Sequence, residues 1–335
     1  MPLPSAGVIH RLKRGLGLFR ESWGVERKGL LSLVERDVLL TSWALGAGWS
    51  RGALFRRLAA EEWTRVGGGA WAPPGRPIDD GVRLRALQLL NPHLVVSHRS
   101  AAELWWIETL DSSTERPLEF TDPELGLRRA GTGVRVHRIP LAEHDIVERH
   151  GFRITTVPRT LADLLRTAPR DDAIVAVESA LTHRRFGQTR RAPLTRLDAI
   201  ASALDLPHRG AVRARHRLRL CDPHAGSPAE TIARLRMYDA GLHPESQVTL
   251  RTPNGRRVVL DFLFRAEGLA IEIEGYAYHG TREAHRRDVT RFNQLHQCPE
   301  VRSLLRYTAE DVFHRPAHML TEIQTTLTSS KNSRP

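Results

Sequence analysis

Apolar and polar positions follow two rhythms along the 335 residues, and the changes of rhythm mark three segments. From Val38 to Ala47 the run VLLTSWALGA predicts a helix, and Gly48 breaks it. Leu54 and Leu58 then recur at helical spacing behind Ser50, a good N-cap. WTRVGGGAWA and the following PPGRP bring Gly and Pro, which mark a turn and a break. The predicted order is helix, turn, helix and wing. Trp63 and Trp71 fall in the core of the wing, and Arg51, Arg56 and Arg57 point outward.

Between about Ile78 and Phe186, short strands (Leu94 to Ser97, Val134 to His137) mix with helical patterns (Ser100 to Trp106, Arg159 to Leu165, Ala173 to Leu181), which predicts an α/β body. From Ser227 the pattern changes again. Ser227 and Pro228 read as an N-cap and the first residue of a helix, with Glu230 in its first turn. After a turn at Pro253 to Gly255, two apolar runs, Val258 to Phe264 and Leu269 to Glu274, read as a hairpin. If Phe264 pairs with Leu269, the register puts Asp261 opposite Glu272. Leu260, Phe262, Ile271 and Ile273 then share one apolar face, while the other collects Asp261, Glu272 and Glu274.

At about 150 residues per domain the length suggests two domains, with room for three small ones. The expected division is a leader (1–28), the helix-turn-helix segment (29–75), the α/β middle (76–186), an Arg-rich connector (187–226), a C-terminal domain (227–328) and a tail (329–335). Apolar residues at 41% and charged residues at 26% argue against wholesale disorder and against a collagen-like fibre. No run approaches the roughly 18 to 20 apolar residues that would span a bilayer. Two distant cysteines, Cys221 and Cys298, build neither a disulfide framework nor a four-cysteine zinc site. With Arg11, Lys13 and Arg14 interrupting any secretory apolar region, the expected location is the cytoplasm.

Charge points to the partner. Fifty Lys+Arg against 38 Asp+Glu give a net charge of +12, and 47 of the cations are arginines, whose planar forks suit phosphate. Ten arginines and two acids lie between Arg184 and Arg219. Arg209, Arg213 and Arg217 are spaced four apart, so a helix there would carry a cationic stripe, either a phosphate-tracking surface or a solvated connector. In a helix-turn-helix the second helix enters the major groove, which makes Ser50, Arg51, Arg56 and Arg57 candidate DNA contacts, with Arg65 on phosphate.

The run LGAGWSRGALFRRLAAEEWTRVGGGAWAPPG, followed by VVSHRSAAELWW, VRVHRIPL and ITTVPRTLADLL, resembles AbiEi-type antitoxins, the DNA-binding half of type IV toxin-antitoxin systems. The resemblance covers roughly Leu30 to Leu165 and implies a winged helix and, as a further partner besides DNA, a cognate protein toxin. Ser97, His98 and His137 in these motifs serve either packing or chemistry.

In the C-terminal segment, opposed carboxylates stand about 4.5 to 5.5 Å apart at Cβ and repel, so something must compensate. A divalent cation would, and hard oxygen ligands suit Mg²⁺. Such a site could hydrolyse phosphodiesters, with Glu230, Glu274 and His279 as candidates for placing water. The bland alternative is a polar sheet face turned to solvent. Glu230, Gln247, Asp261-Phe262, Glu272-Ile273-Glu274-Gly275, His279, Arg287-Asp288, Arg291 and Leu304 to Thr308 resemble the PD-(D/E)XK nucleases, in particular the very-short-patch-repair (Vsr-like) endonucleases. That resemblance implies Asp261, Glu272 and the Ile273 carbonyl as ligands of Mg²⁺ or Mn²⁺, with Glu230 an outer ligand. Glu274 stands where the superfamily usually has lysine, and Cys298 lacks a thiol neighbour for the zinc site of the mismatch-repair members.

The expected fold is α/β and multi-domain: a winged helix-turn-helix, an α/β middle domain and a restriction-endonuclease-like mixed sheet flanked by helices. The expected function is metal-dependent DNA cleavage. The alternative is an antitoxin-like transcriptional regulator that keeps the nuclease fold as a scaffold.

Overall fold

The computed structural model describes residues 29–110, 116–124, 126, 132–186, 188–274 and 290–332. The expected leader, His279 and positions 333–335 of the tail lie outside them. The chain is a mixed α/β protein that divides into two compact units. One comprises Met1–Ile107, Asp111–Leu164 and Phe186–Gln188, and the other Glu108–Leu110, Leu165–Arg185 and Thr189–Pro335.

In the first unit, β1 (Leu39–Leu40), α1 (Thr41–Gly46), α2 (Arg51–Ala60), β2 (Thr64–Gly67) and β3 (Ala70–Ala72) come first, with sheet order β1-β3-β2. Ser50 caps α2 by accepting the Ala53 N–H at 3.3 Å. Leu54 and Leu58 are buried with Leu39, Ala44 and Trp63. The first helix is shorter than its apolar run predicts. Leu39 and Leu40 instead pair with Trp71 and Ala70, because two adjacent apolar residues are buried equally well in a sheet.

The unit continues with α3 (Asp80–Leu90), β4 (Val95–Val96), α4 (His98–Leu104), β5 (Leu118–Thr121), β6 (Val134–His137), β7 (Ile146–Arg149) and β8 (Phe152–Thr155). Their sheet has the order β6-β5-β4-β8-β7, with Leu84, Val96, Phe120 and Ile154 in its core. Three of these strands escape the pattern reading. LEFT, IVER and FRIT are four residues each, too short for alternation to stand out from a charged background.

The chain passes through α5 (Val157–Thr167), α6 (Arg170–Leu181), a ladder of β9 (Arg184–Phe186) with β10 (Thr189–Arg191), α7 (Leu197–Ala203) and α8 (Ala211–Leu218). In the second unit follow α9 (Pro228–Asp239), β11 (Glu245–Arg251), β12 (Arg257–Phe264), β13 (Leu269–Glu274), β14 (Ser303–Thr308), α10 (Ala309–His314) and α11 (Pro316–Asn332). The sheet order is β11-β12-β13-β14, antiparallel except for the parallel last pair. The expected cut at 186/187 is displaced. Ile174 and Val175 of α6 share a core with Ile232 and Leu235 of α9, so α6 and most of the connector fold with the C-terminal residues.

The hairpin register is the expected one, with Phe264 opposite Leu269, Leu263 opposite Ala270 and Phe262 opposite Ile271. Its faces differ from expectation. Phe262, Phe264, Ile271 and Ile273 lie in one core, but Leu260 joins Leu263, Ala270, Leu295 and Val301 in another. The alternation along β12 therefore inverts between Leu260 and Phe262, and both faces of the sheet carry apolar cores. On β11, opposite this point, Gln247 takes a left-handed backbone conformation with φ 48°.

Candidate active site

The inversion at Asp261 shapes the site. Where a regular ladder would continue, the Asp261 carboxylate Oδ2 accepts the Ile273 N–H at 2.8 Å. The Asp261 N–H in turn donates to Glu272 Oε1 at 3.3 Å. From β11, the Gln247 amide Nε2 donates to Glu230 Oε2 at 2.7 Å and to Asp261 Oδ1 at 3.3 Å. Glu230 is held from its own helix start, because its Oε2 also accepts the Gly226 N–H at 2.9 Å. Arg184, only 5% exposed, fixes that loop by donating to the carbonyls of Ala225 and Gly226 while pairing with Glu108 at 2.6 Å.

Three carboxylates thus gather from a helix and two strands. Burial, reinforced by the Asp261 charge, pushes Glu230 up to about 7. The same two causes push Glu272 up to about 7 even though Arg291 pairs with it at 2.6 Å, because one partly exposed guanidinium does not offset both burial and a like charge. Asp261 is also raised by burial, against the opposing pull of the Ile273 N–H, Arg291 and Gln247.

The stacked acidic face is less bare than the sequence implies. Arg291 donates to Glu272 and to the Val259 carbonyl, and Arg306 pairs with Glu274 at 2.6 Å. Glu274 is therefore engaged by a neighbouring strand, whereas Glu230, Asp261 and Glu272 are brought together. Among the described residues no group of three His, Cys, Asp or Glu side chains stands in ready metal-binding geometry. Gln247 and Arg291 appear in the sequence only as parts of a resemblance. Their roles as bridge and counter-ion come from residues far apart in the chain.

The expected DNA contacts divide in two. Arg51, Arg56, Arg57 and Arg65 are exposed on α2 and β2, although Arg57 pairs with Glu61 at 2.5 Å. The connector arginines form no stripe. α8 starts at Ala211, leaving Arg209 outside it. Arg213 donates to the Arg166 carbonyl at 2.5 Å, and Arg217 to those of Leu165 and Ala168 at 2.8 Å each. These two guanidiniums cover the carbonyls that the end of α5 leaves unpaired.

His98 is buried, with φ 51°, its ring stacked on His137 at a centroid distance of 3.5 Å. Ser97 Oγ lies 2.9 Å from its Nδ1, and His137 Nε2 lies 3.1 Å from Glu119 Oε1. Burial lowers His98 to about 4, so the stack holds a neutral imidazole at neutral pH.

No helix among the described residues is long and apolar enough to cross a membrane. No family model matches the chain. The uncharacterized proteins Rv2248 and MT2308 of Mycobacterium tuberculosis, from strains H37Rv and CDC 1551, are each 28% identical to it over 244 residues, covering 72% of this chain and 84% of theirs. Among solved structures, the Rv2827c protein of the same species is similar over 75% of this chain and 90% of its own, at 18% identity and a TM-score of 0.39, too loose a likeness to carry an argument.

Proposed function

We propose that the chain binds DNA through its N-terminal segment and cleaves phosphodiester bonds at the carboxylate cluster of its second unit, using Mg²⁺ or Mn²⁺. The observation that carries this reading is the gathering of three buried carboxylates, Glu230 and Asp261 on one bridging amide and Glu272 on the Asp261 N–H, with Glu230 and Glu272 held near 7. Buried like charges are costly unless a cation offsets them.

The donor set fits such an ion. Asp261 and Glu272 offer hard carboxylate oxygens, which suit Mg²⁺. A strand residue's N–H and C=O face the same edge, so the Ile273 carbonyl lies on the Asp261 side. These three groups would hold the ion and Glu230 would stand outside them. When bound, the ion polarises the scissile phosphate and makes an attacking water more acidic. Glu230, with its carboxyl near 7, is matched to taking a proton from water at neutral pH. Arg291 offers a guanidinium beside Glu272 for a phosphate oxygen.

In this reading β11–β14 with α9 form the PD-(D/E)XK sheet that the Vsr-like motifs suggest. α1, α2 and the β2–β3 hairpin form an AbiEi-like winged helix, with α2 in the major groove. The test is incubation of wild type and Asp261→Ala with supercoiled plasmid in Mg²⁺, Mn²⁺ or EDTA. Metal-dependent nicking by the wild type alone is expected, and cleavage retained in Asp261→Ala would end the proposal.

One observation favours the regulator as a second reading. Glu272 and Glu274 already carry guanidinium partners, as a nuclease scaffold without its ion would. That reading has a cognate toxin as partner and expects sequence-selective DNA binding, unchanged in Asp261→Ala, with no cleavage.

A further inference from the structure

A cavity of about 510 Å³ lies within the first unit. Pockets of roughly 300 to 1,000 Å³ are the size that takes small organic ligands. Residues of two turns line it. In one, Arg36 and Asp37 both take left-handed conformations, with φ 48° and 71°, between the bridged residues Glu35 and Val38. In the other, His150 and Gly151, at φ 48° and 72°, join β7 to β8. Glycine suits position 151 because its positive φ is a conformation that L side chains rarely adopt.

The cavity joins apolar surface to concentrated positive charge. Val82, Leu104 and Phe152 are buried residues that contribute to its wall. Among the lining residues three guanidiniums, of Arg36, Arg76 and Arg85, stand against two carboxylates, of Asp37 and Asp79, one positive charge in excess within the wall, with Glu148 beyond it paired to Arg36. Both carboxylates are committed to Arg76, at 3.0 and 3.2 Å. The Arg85 guanidinium lies over the Phe152 ring, 3.7 Å from its centroid, and donates to the carbonyls of His150 and Gly151. Arg36 has one ion-pair partner among the described residues, Glu148 at 3.7 Å, and both side chains are exposed. Burial and the Arg36 charge together pull Arg85 down to about 10, so the two guanidiniums in the cavity wall repel each other.

We infer that this cavity binds a small organic monoanion with a flat apolar body, an aromatic carboxylate. The carboxylate sits between Arg36 and Arg85 and relieves their repulsion. The ring lies along Val82, Leu104 and Phe152, and one negative charge matches the single excess positive charge. A phosphate monoester, mostly dianionic at neutral pH, would leave the cavity overcharged. α3 lines the cavity with its first turn and packs on β1, β2 and β3, so occupancy bears directly on the sheet beside α2.

The test is calorimetric titration of the full chain, without DNA or metal, with 1-naphthoate, its neutral analogue 1-naphthalenemethanol and inorganic phosphate. Its failure is thus separate from failure of the nuclease reading. Saturable 1:1 binding of naphthoate is expected, weakened about tenfold or more by loss of the charge in the alcohol or by Arg36→Glu, the factor that one charge-assisted contact supplies. Arg36 is exposed and outside the core, and tryptophan fluorescence of the variant checks that the unit stays folded. Absence of saturable naphthoate binding, equal binding of the alcohol, tighter binding of phosphate, or an unchanged affinity in folded Arg36→Glu would each overturn the inference.

Discussion

Asp261→Asn removes the charge that helps hold two neighbouring glutamates up, and its consequence for stability can be worked from the site. Glu230 and Glu272 sit near 7, against an ordinary value of 4.5. A folded-state pKa above the unfolded one means that the folded protein binds the proton more tightly. Stability is then fullest below about 4.5, falls as pH climbs towards 7 and levels off above it. At about 1.4 kcal/mol per pH unit, the loss is on the order of 3 kcal/mol for each glutamate taken singly. Asparagine can still accept the Ile273 N–H through its oxygen, so the variant keeps the strand geometry while losing the charge. All seven tryptophans lie at or before Trp106, so their fluorescence follows the first unit. Hydrogen exchange of the peptide 257–274 follows the second. Between pH 5 and 8, once intrinsic rates are corrected for, wild-type protection of that peptide should fall. Asp261→Asn should show a smaller fall, because burial remains but the Asp261 charge is gone, and millimolar Mg²⁺ should restore protection in the wild type only. Parallel profiles for the two proteins would refute the argument that Asp261 drives the repulsion.

Four other perturbations separate binding from architecture. Arg56→Ala should weaken duplex binding and lower the salt slope by about 1, read by fluorescence anisotropy, with no loss of stability. Arg213→Ala should leave the salt slope unchanged and increase hydrogen exchange at the end of α5, because its guanidinium is bonded to the Arg166 carbonyl. Arg184→Met breaks a buried pair with Glu108 and should cost about 3 kcal/mol in the second unit, seen as faster exchange in peptides spanning 225–239. Leu54→Ala empties a fully buried position and should cost about 2 to 5 kcal/mol in the first unit, measured by denaturant titration of tryptophan fluorescence.

Local rules reach far along this chain. Ser50 and Ser227 cap the helices they precede, since a hydroxyl ahead of a helical run finds its N–H whatever the distant context. The pairing of Phe264 with Leu269 follows from a four-residue connection, which leaves an antiparallel hairpin little choice of register. From that register come the opposition of Asp261 and Glu272 and the reason to look for chemistry there.

Tertiary structure decided what the acids and arginines do. An arginine is as plausible on a phosphate as on a carbonyl, and its sequence neighbours do not choose. Arg213 and Arg217 end on the carbonyls of α5 because the fold brings that helix end to them. Likewise Arg291 and Arg306 neutralise part of an acidic face from positions 19 and 32 residues beyond Glu272 and Glu274. The strand inversion at Asp261, which sends Leu260 to the opposite core and frees the carboxylate to take the Ile273 N–H, depends on two sheet faces being buried at once. Burial itself, the largest cause of the raised Glu230 and Glu272, is a property of the whole packed unit. Sequence spacing determined which groups could meet across neighbouring strands, and long-range packing determined their solvent, their counter-ions and hence their charge.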